Sequence, residues 1–363
     1  MKKLSIIFSI ISLAVFASSC SKDGIDDDLS FVNSANSANL TNIFDISNDN
    51  SGKVKITPFG QGFTQFVINF GESTGESADT ILNGTYAIHA YPEGSYTVTI
   101  TGYDIAGKST TADYPLTVTY RAPENLEIEI QSDMQVKAKA LYAHSFLVYY
   151  GDVANETGTP LAIDGTLPPH VYPAGGPYDL KVVALSGGAA TTQLIKTLFG
   201  FPLTFETATM DYFFGTFGNV NFSTVANPFP GGTNTSSKVG KYEKTNGAEV
   251  WSGTYSPLNI PINFAHGNKV KILVYNPDPV NIGKSLNVEL EAAVAGTGAT
   301  PNGVGVIKVP ITTSGAWEEL VFDFSTIPAI PSTARFNQLV FRFNDVAQGT
   351  GEIIYVDNIR ITN

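Results

Sequence analysis

The chain holds two tryptophans, and each stands among carboxylates. Trp251 lies in KVGKYEKTNGAEVWSGTY (238–255), with Glu249 before it and Tyr255 after it. In a strand, residues 249, 251, 253 and 255 share a side. Glu249, Trp251 and Tyr255 would then line up, with Gly253 leaving room between the two rings. Flat rings suit the apolar C–H faces of pyranose sugars, while carboxylates and amides suit their hydroxyls. The same row also suits a sandwich core, since tryptophan is buried on average. Trp317, in GAWEELVFDFS, alternates with Glu319, Val321 and Asp323 and so faces away from the apolar stripe of Leu320, Phe322 and Phe324.

Other chemistries find less support. Glu289 and Glu291 in NVELEA fall on one strand face, as in retaining glycosidases whose carboxylates stand about 5 Å apart. Laminarinase-type jelly-roll hydrolases carry Glu-x-Asp-x-x-Glu, and here position 294 is Val. No Gly-x-Ser-x-Gly elbow and no zinc-ligand spacing occurs, so the expectation is a non-catalytic chain. His89 and His170 occupy matching places in a repeat, which favours a turn-bracing role over metal ligation. The net charge of −12 and the absence of clustered Lys and Arg exclude nucleic acid as a partner.

The elements that must position these residues are strands. Runs of alternating apolar residues bounded by Gly, Pro, Asn or Ser recur through the chain, notably 259–277, 285–294, 314–325 and 352–363. Outside the first twenty residues no stretch has helical periodicity, and the fold class is all-β. The chain opens with Lys2-Lys3, an apolar run from Leu4 to Phe16 and then Ala17-Ser18-Ser19-Cys20. This reads as a lipoprotein leader over 1–19 with Cys20, the only cysteine, as the lipidated residue. Such an end makes the protein lipid-anchored, with no membrane-spanning helix. Residues 20–40 read as a flexible tether.

Two segments then match at a period of about 80 residues, as sandwich-sized repeats do. The first carries Phe70-Gly71-Glu72, His89, Tyr91-Pro92 and Tyr96; the second carries Tyr150-Gly151-Asp152, His170, Tyr172-Pro173 and Tyr178. This pattern resembles the PKD module, an Ig-like β-sandwich, and places two copies at 41–121 and 122–201. The order FETAT, ANPFPGGTNTSSKVGKY, AEVWSGTYSPL, PINF, VELE, W-EEL-FDFS and YVDNIRI over 202–363 resembles a carbohydrate-binding-like jelly roll.

The whole layout is similar to SusE-type surface glycan-binding lipoproteins of Bacteroidetes-type bacteria. That resemblance implies tandem Ig-like spacers and a terminal module that captures polysaccharide. It further implies a place on the outer face of the outer membrane, beside a TonB-dependent importer. SKDGIDDD (21–28) is similar to the acidic export signal of such lipoproteins. Laminarin, a β-1,3-glucan, is the first ligand to expect. In such modules a glutamate of the opening strand and an aspartate of the closing one hold a structural calcium, which implies Glu206 and Asp357 here. The resemblance leaves one rival class, an adhesion or protein-interaction lipoprotein that uses its exposed aromatics against a protein.

Overall fold

The computed structural model describes residue 32 and residues 36–72, 77–173, 176–208, 210, 212–300, 305–328 and 330–363. Cys20 and the leader lie outside the described residues. The chain divides into two compact units, Met1–Thr119 and Tyr120–Asn363. Among the described residues the named elements are strands and three short 3-10 turns, and the protein is all-β.

The first unit contains β1 (Ala38–Ile46), β2 (Lys53–Gln61), β3 (Phe63–Asn69), β4 (Asp79–Leu82), β5 (Ala87–Ala90), β6 (Gly94–Asp104) and β7 (Ser109–Val118). They form two antiparallel sheets, β1-β2-β5 and β4-β3-β6-β7. Alternation sets the layers: Val54 and Ile56, Phe66 and Ile68, and Val98 and Ile100 are all fully buried. Their neighbours in sequence point the other way.

The second unit opens with β8 (Glu124–Ile130), β9 (Val136–Leu141), β10 (Ser145–Tyr149), β11 (Thr159–Ala162), β12 (Tyr178–Leu185) and β13 (Thr191–Leu198). Its sheets are β8-β9 and β11-β10-β12-β13. Among the described residues no strand takes the place of β5. Where β5 carries His89, this repeat has Pro168-Pro169-His170, and two prolines remove the N–H groups a ladder needs. The Leu167 N–H reaches β9 at the Val136 carbonyl (3.0 Å). Both histidines brace their own repeat: His89 Nε2 meets Glu72 at 3.0 Å and His170 Nε2 meets Asp152 at 2.8 Å. Their rings stack on Phe70 and Tyr150 at 4.1 and 3.7 Å.

The same unit continues with β14 (Gly215–Phe217), β15 (Val220–Ala226), β16 (Lys238–Lys244), β17 (Gly253–Asn263), β18 (Lys269–Tyr275), β19 (Ser285–Ala293), β20 (Val306–Pro310), β21 (Trp317–Asp323), β22 (Arg335–Phe343) and β23 (Glu352–Thr362). Two five-stranded antiparallel sheets result, a front sheet β14-β17-β22-β19-β20 and a back sheet β15-β16-β23-β18-β21. Leu286, Val288, Leu290, Phe341 and Phe343 from the front meet Val270, Ile272, Phe322, Ile354 and Val356 from the back in one core. The segment 203–206 is not the opening strand that its sequence suggests. Only Leu203 bridges to Ile359, because Phe205 turns to a positive φ of 59° and sends its ring into the core.

The two halves of this unit interlock. The Phe199 carbonyl accepts the N–H groups of Asn259 (2.7 Å) and Ile260 (3.0 Å), and the Phe199 N–H donates to Asn259 Oδ1 (3.0 Å). Ile260 packs on the core of the β8–β13 sandwich. Arg335 pairs with Asp133 at 2.6 Å, and Asn337 donates to the Ser132 carbonyl at 2.6 Å.

Candidate functional site

On β19, Leu286, Val288 and Leu290 face the core, so Asn287, Glu289 and Glu291 face outward from the front sheet. Register extends this outer face across the strands. Arg342 lies beside Asn287, which lies beside Lys308; Tyr255 lies beside Val340, which lies beside Glu289. At the other edge Phe217 pairs with Gly253 and Gly215 pairs with Tyr255.

Both glycines serve the rings opposite them. A Cβ on Gly253 would come within 2.7 Å of the Phe217 ring, and one on Gly215 within 2.5 Å of the Tyr255 ring. Each ring therefore lies down on the sheet. The indole of Trp251 runs parallel to Phe217, at 5° with centroids 6.1 Å apart. The guanidinium carbon of Arg342 sits 5.7 Å from the Phe217 centroid. Arg342 in turn holds Glu289 through two contacts, Nε–Oε1 at 2.9 Å and NH2–Oε2 at 3.2 Å. The result is a continuous series across the face: carboxylate, guanidinium, phenyl, indole.

Trp251 is 54% exposed, so the core reading of this residue gives way to the exposed one. Its placement differs from a strand row. β17 begins at Gly253, whereas Glu249 and Trp251 occupy a preceding turn. That turn is set by left-handed Gly247 (φ 77°) and closed by the bonds Ala248 N–H to Thr245 O and Ser252 N–H to Glu249 O. Glu249 is exposed on the turn, and Tyr255 meets Phe213 edge to face at 6.3 Å. Glu289 and Glu291 do share a side. Glu289 is held by Arg342, and Glu291 accepts from Gln338 at 2.6 Å. Burial pushes the Glu289 carboxyl up from its ordinary value, and Arg342 pulls it back in part.

Trp317 belongs to the back sheet, on the opposite side of the sandwich. Its Nε1–H donates to the Phe229 carbonyl at 2.8 Å, and its ring leans on Tyr275 at 5.5 Å. Phe229 stacks on Tyr275 at 4.0 Å and meets Tyr355 edge-on at 5.6 Å. This cluster pins the 227–234 loop onto the back sheet. Trp251 and Trp317 therefore do not share a face.

Glu206 and Asp357 flank the turn that follows this loop. Glu206 accepts from Ser237 Oγ at 2.6 Å and from the Lys238 N–H at 2.7 Å. Asp357 is fully buried and accepts from Asn234 Nδ2 at 2.8 Å and the Asn358 N–H at 2.7 Å. Burial raises the Asp357 carboxyl above its ordinary value, and the charge of Glu206 raises it further. The contacts of both carboxylates named here are hydrogen-bond donors, and a cation at this point would offset the repulsion between them. Among the described residues no group of three His, Cys, Asp or Glu side chains converges, so further ligands would be carbonyl or amide oxygens.

Sequence reasoning did not single out Phe217, Arg342 or Asn287. Phe217 and Arg342 each left a trace, a ring between two glycines in GTFG and a cation between two rings in FRF.

No family model and no curated protein matches the chain. Among solved structures, a surface glycan-binding protein, SGBP-B, from a complex xyloglucan utilization locus in Bacteroides uniformis aligns over 90% of this chain and 98% of its own. The identity is 10% and the TM-score 0.31. Carbohydrate-binding modules of the β-sandwich superfamily align over 89% and 98% at 11% identity and a TM-score of 0.26. A non-crystalline-cellulose-specific module of family 28 aligns over 46% and 97% at 13% identity and a TM-score of 0.33. At these scores the likenesses identify neither a ligand nor a site for this chain.

Proposed function

We propose that this protein is a non-catalytic, lipid-anchored surface protein that captures polysaccharide on the outer face of its front sheet. One observation carries the reading: a half-exposed indole, parallel to a second ring, continues into a guanidinium–carboxylate pair on the outer side of the front sheet. Trp251 supplies the stacking surface, with Glu249 on the same turn and the Tyr255–Phe213 pair along the same edge of the sheet. The polar end at Arg342 and Glu289 meets sugar hydroxyls. Cys20 carries the anchor, the β1–β13 sandwiches serve as spacers, and captured glycan passes to a TonB-dependent importer. Laminarin is the first ligand to try. Calcium, held by Glu206 and Asp357, would neutralise the buried charge and fix the 227–238 turn to β23.

Affinity electrophoresis of the whole protein against a polysaccharide panel tests the reading. Retardation by at least one glycan, lost in Trp251→Ala, is the expected result. A protein that runs unshifted in every gel belongs instead to the adhesion class. For the metal, calcium should raise the melting temperature and a chelator should lower it, with no response in Asp357→Asn.

A further inference from the structure

The front sheet holds a fully buried polar side chain that the aromatic series leaves unused. Asn287 faces outward from β19, in the same row as Arg342 and Lys308. Yet it is 0% exposed, and neither its Nδ2 nor its Oδ1 has a hydrogen-bond partner among the described residues. A buried amide with both functions unmet is costly, and sheets seldom keep one without a use. An outward residue can be buried only beneath its neighbours. Its two cross-strand neighbours carry long cationic side chains, and each is tied to a carboxylate. Arg342 is held by Glu289 at 2.9 Å and Lys308 by Asp345 at 2.6 Å. Both cations are thus engaged with carboxylates, while the amide between them keeps its donors and its acceptor.

We propose that Asn287 is a ligand-reading residue, whose amide engages hydroxyls of an uncharged pyranose once Arg342 or Lys308 turns aside. The inference rests on the glycan-binding reading and adds the class of sugar. An amide donates and accepts at once, which suits neighbouring hydroxyls that do the same. A uronic acid would be poorly received. Each cation here is already paired, and Glu289, Glu291 and Asp345 outnumber Arg342 and Lys308 on this face.

The test uses the whole protein, with laminarin, mixed-linkage β-glucan and xyloglucan as neutral probes and polygalacturonate as the charged one. Wild-type protein should be retarded by at least one neutral probe and not by polygalacturonate. Asn287→Leu keeps the volume and removes the unmet amide, so it should melt at or above the wild-type temperature and bind at least tenfold more weakly. Asn287→Ala, measured alongside, should also bind weakly while remaining folded. Wild-type affinity in both variants would overturn the assignment, as would a lowered melting temperature in Asn287→Leu. Tighter binding of polygalacturonate than of any neutral probe would overturn the sugar class. Trp251→Ala separates the two levels. If it loses binding while both Asn287 variants keep it, only this inference fails; if wild-type protein binds no probe, the glycan-binding reading fails as well.

Discussion

Trp251 and Trp317 differ in what a substitution removes. Trp251 is half exposed in a turn ahead of β17, and its loss leaves the core untouched. Trp251→Ala should cost at least tenfold in affinity, on the order of 1–3 kcal/mol of ring–sugar contact, with an unchanged melting temperature. Trp317→Phe keeps a ring but drops the bond to the Phe229 carbonyl. It should lower stability by about 1 kcal/mol and leave affinity alone. Calorimetry and affinity electrophoresis on one preparation check both. A third residue sets a pH dependence. Burial alone would raise the carboxyl of Glu352, but the Thr350 N–H, Lys284 and Asn344 outweigh it and hold it at about 2. A folded-state value depressed below 4.5 stabilises the fold above that pH, and the contribution is lost as pH falls from about 4.5 toward 2. Glu352→Gln should flatten the melting-temperature profile across that window.

At the scale of elements, the ring-bearing strands depend on their glycines. Gly253 stands where a Cβ would lie 2.4 Å from the Phe341 carbonyl and 2.7 Å from the Phe217 ring. Gly253→Ala should cost about 1–3 kcal/mol and lift Phe217, weakening binding together with stability. Proteolysis or calorimetry would show the first effect and affinity gels the second. Several of these elements are legible from alternation alone. The runs at 285–294 and 352–363 become β19 and β23 almost end for end, and the run at 314–325 holds β21 in its middle. β22 is not, because Leu339, Val340 and Phe341 are buried in succession and blur the period of two. That strand carries Arg342, so the centre of the candidate site is missed with it. Trp251 and Tyr255 are visible as a local pair, whereas Phe217, Asn287 and Arg342 meet only through long-range register. Glu249 and Trp251 fall off the expected strand because Gly247 turns the chain there.

At the scale of the molecule, the repeat match divides the second unit near 201–202, while the contacts run across that point. Cutting there would expose Ile260 and strip Asn259 of its two bonds to Phe199 and Ile260 of its one. Residues 120–363 should melt in one transition. Residues 203–363 alone should melt several degrees lower or aggregate, since a lost apolar contact and an ion pair of this kind each remove on the order of 1 kcal/mol or more. Equal melting temperatures for the two pieces would show that the modules stand independently. A sequence pattern marks where a repeat ends but not which neighbour its last strand leans on, and here Phe199 leans forward.

The separation of the two indoles has a spectroscopic consequence. One is open to water and parallel to a phenyl ring; the other is tethered by its N–H to a loop carbonyl on the far side. Their emission should resolve into two populations under a small aqueous quencher, one fast and one slow. Sugar would shield the first, and unpinning of the 227–234 loop would unmask the second. The chain thus carries separate optical reporters for ligand occupancy and for the state of its back-sheet loop, with no label added.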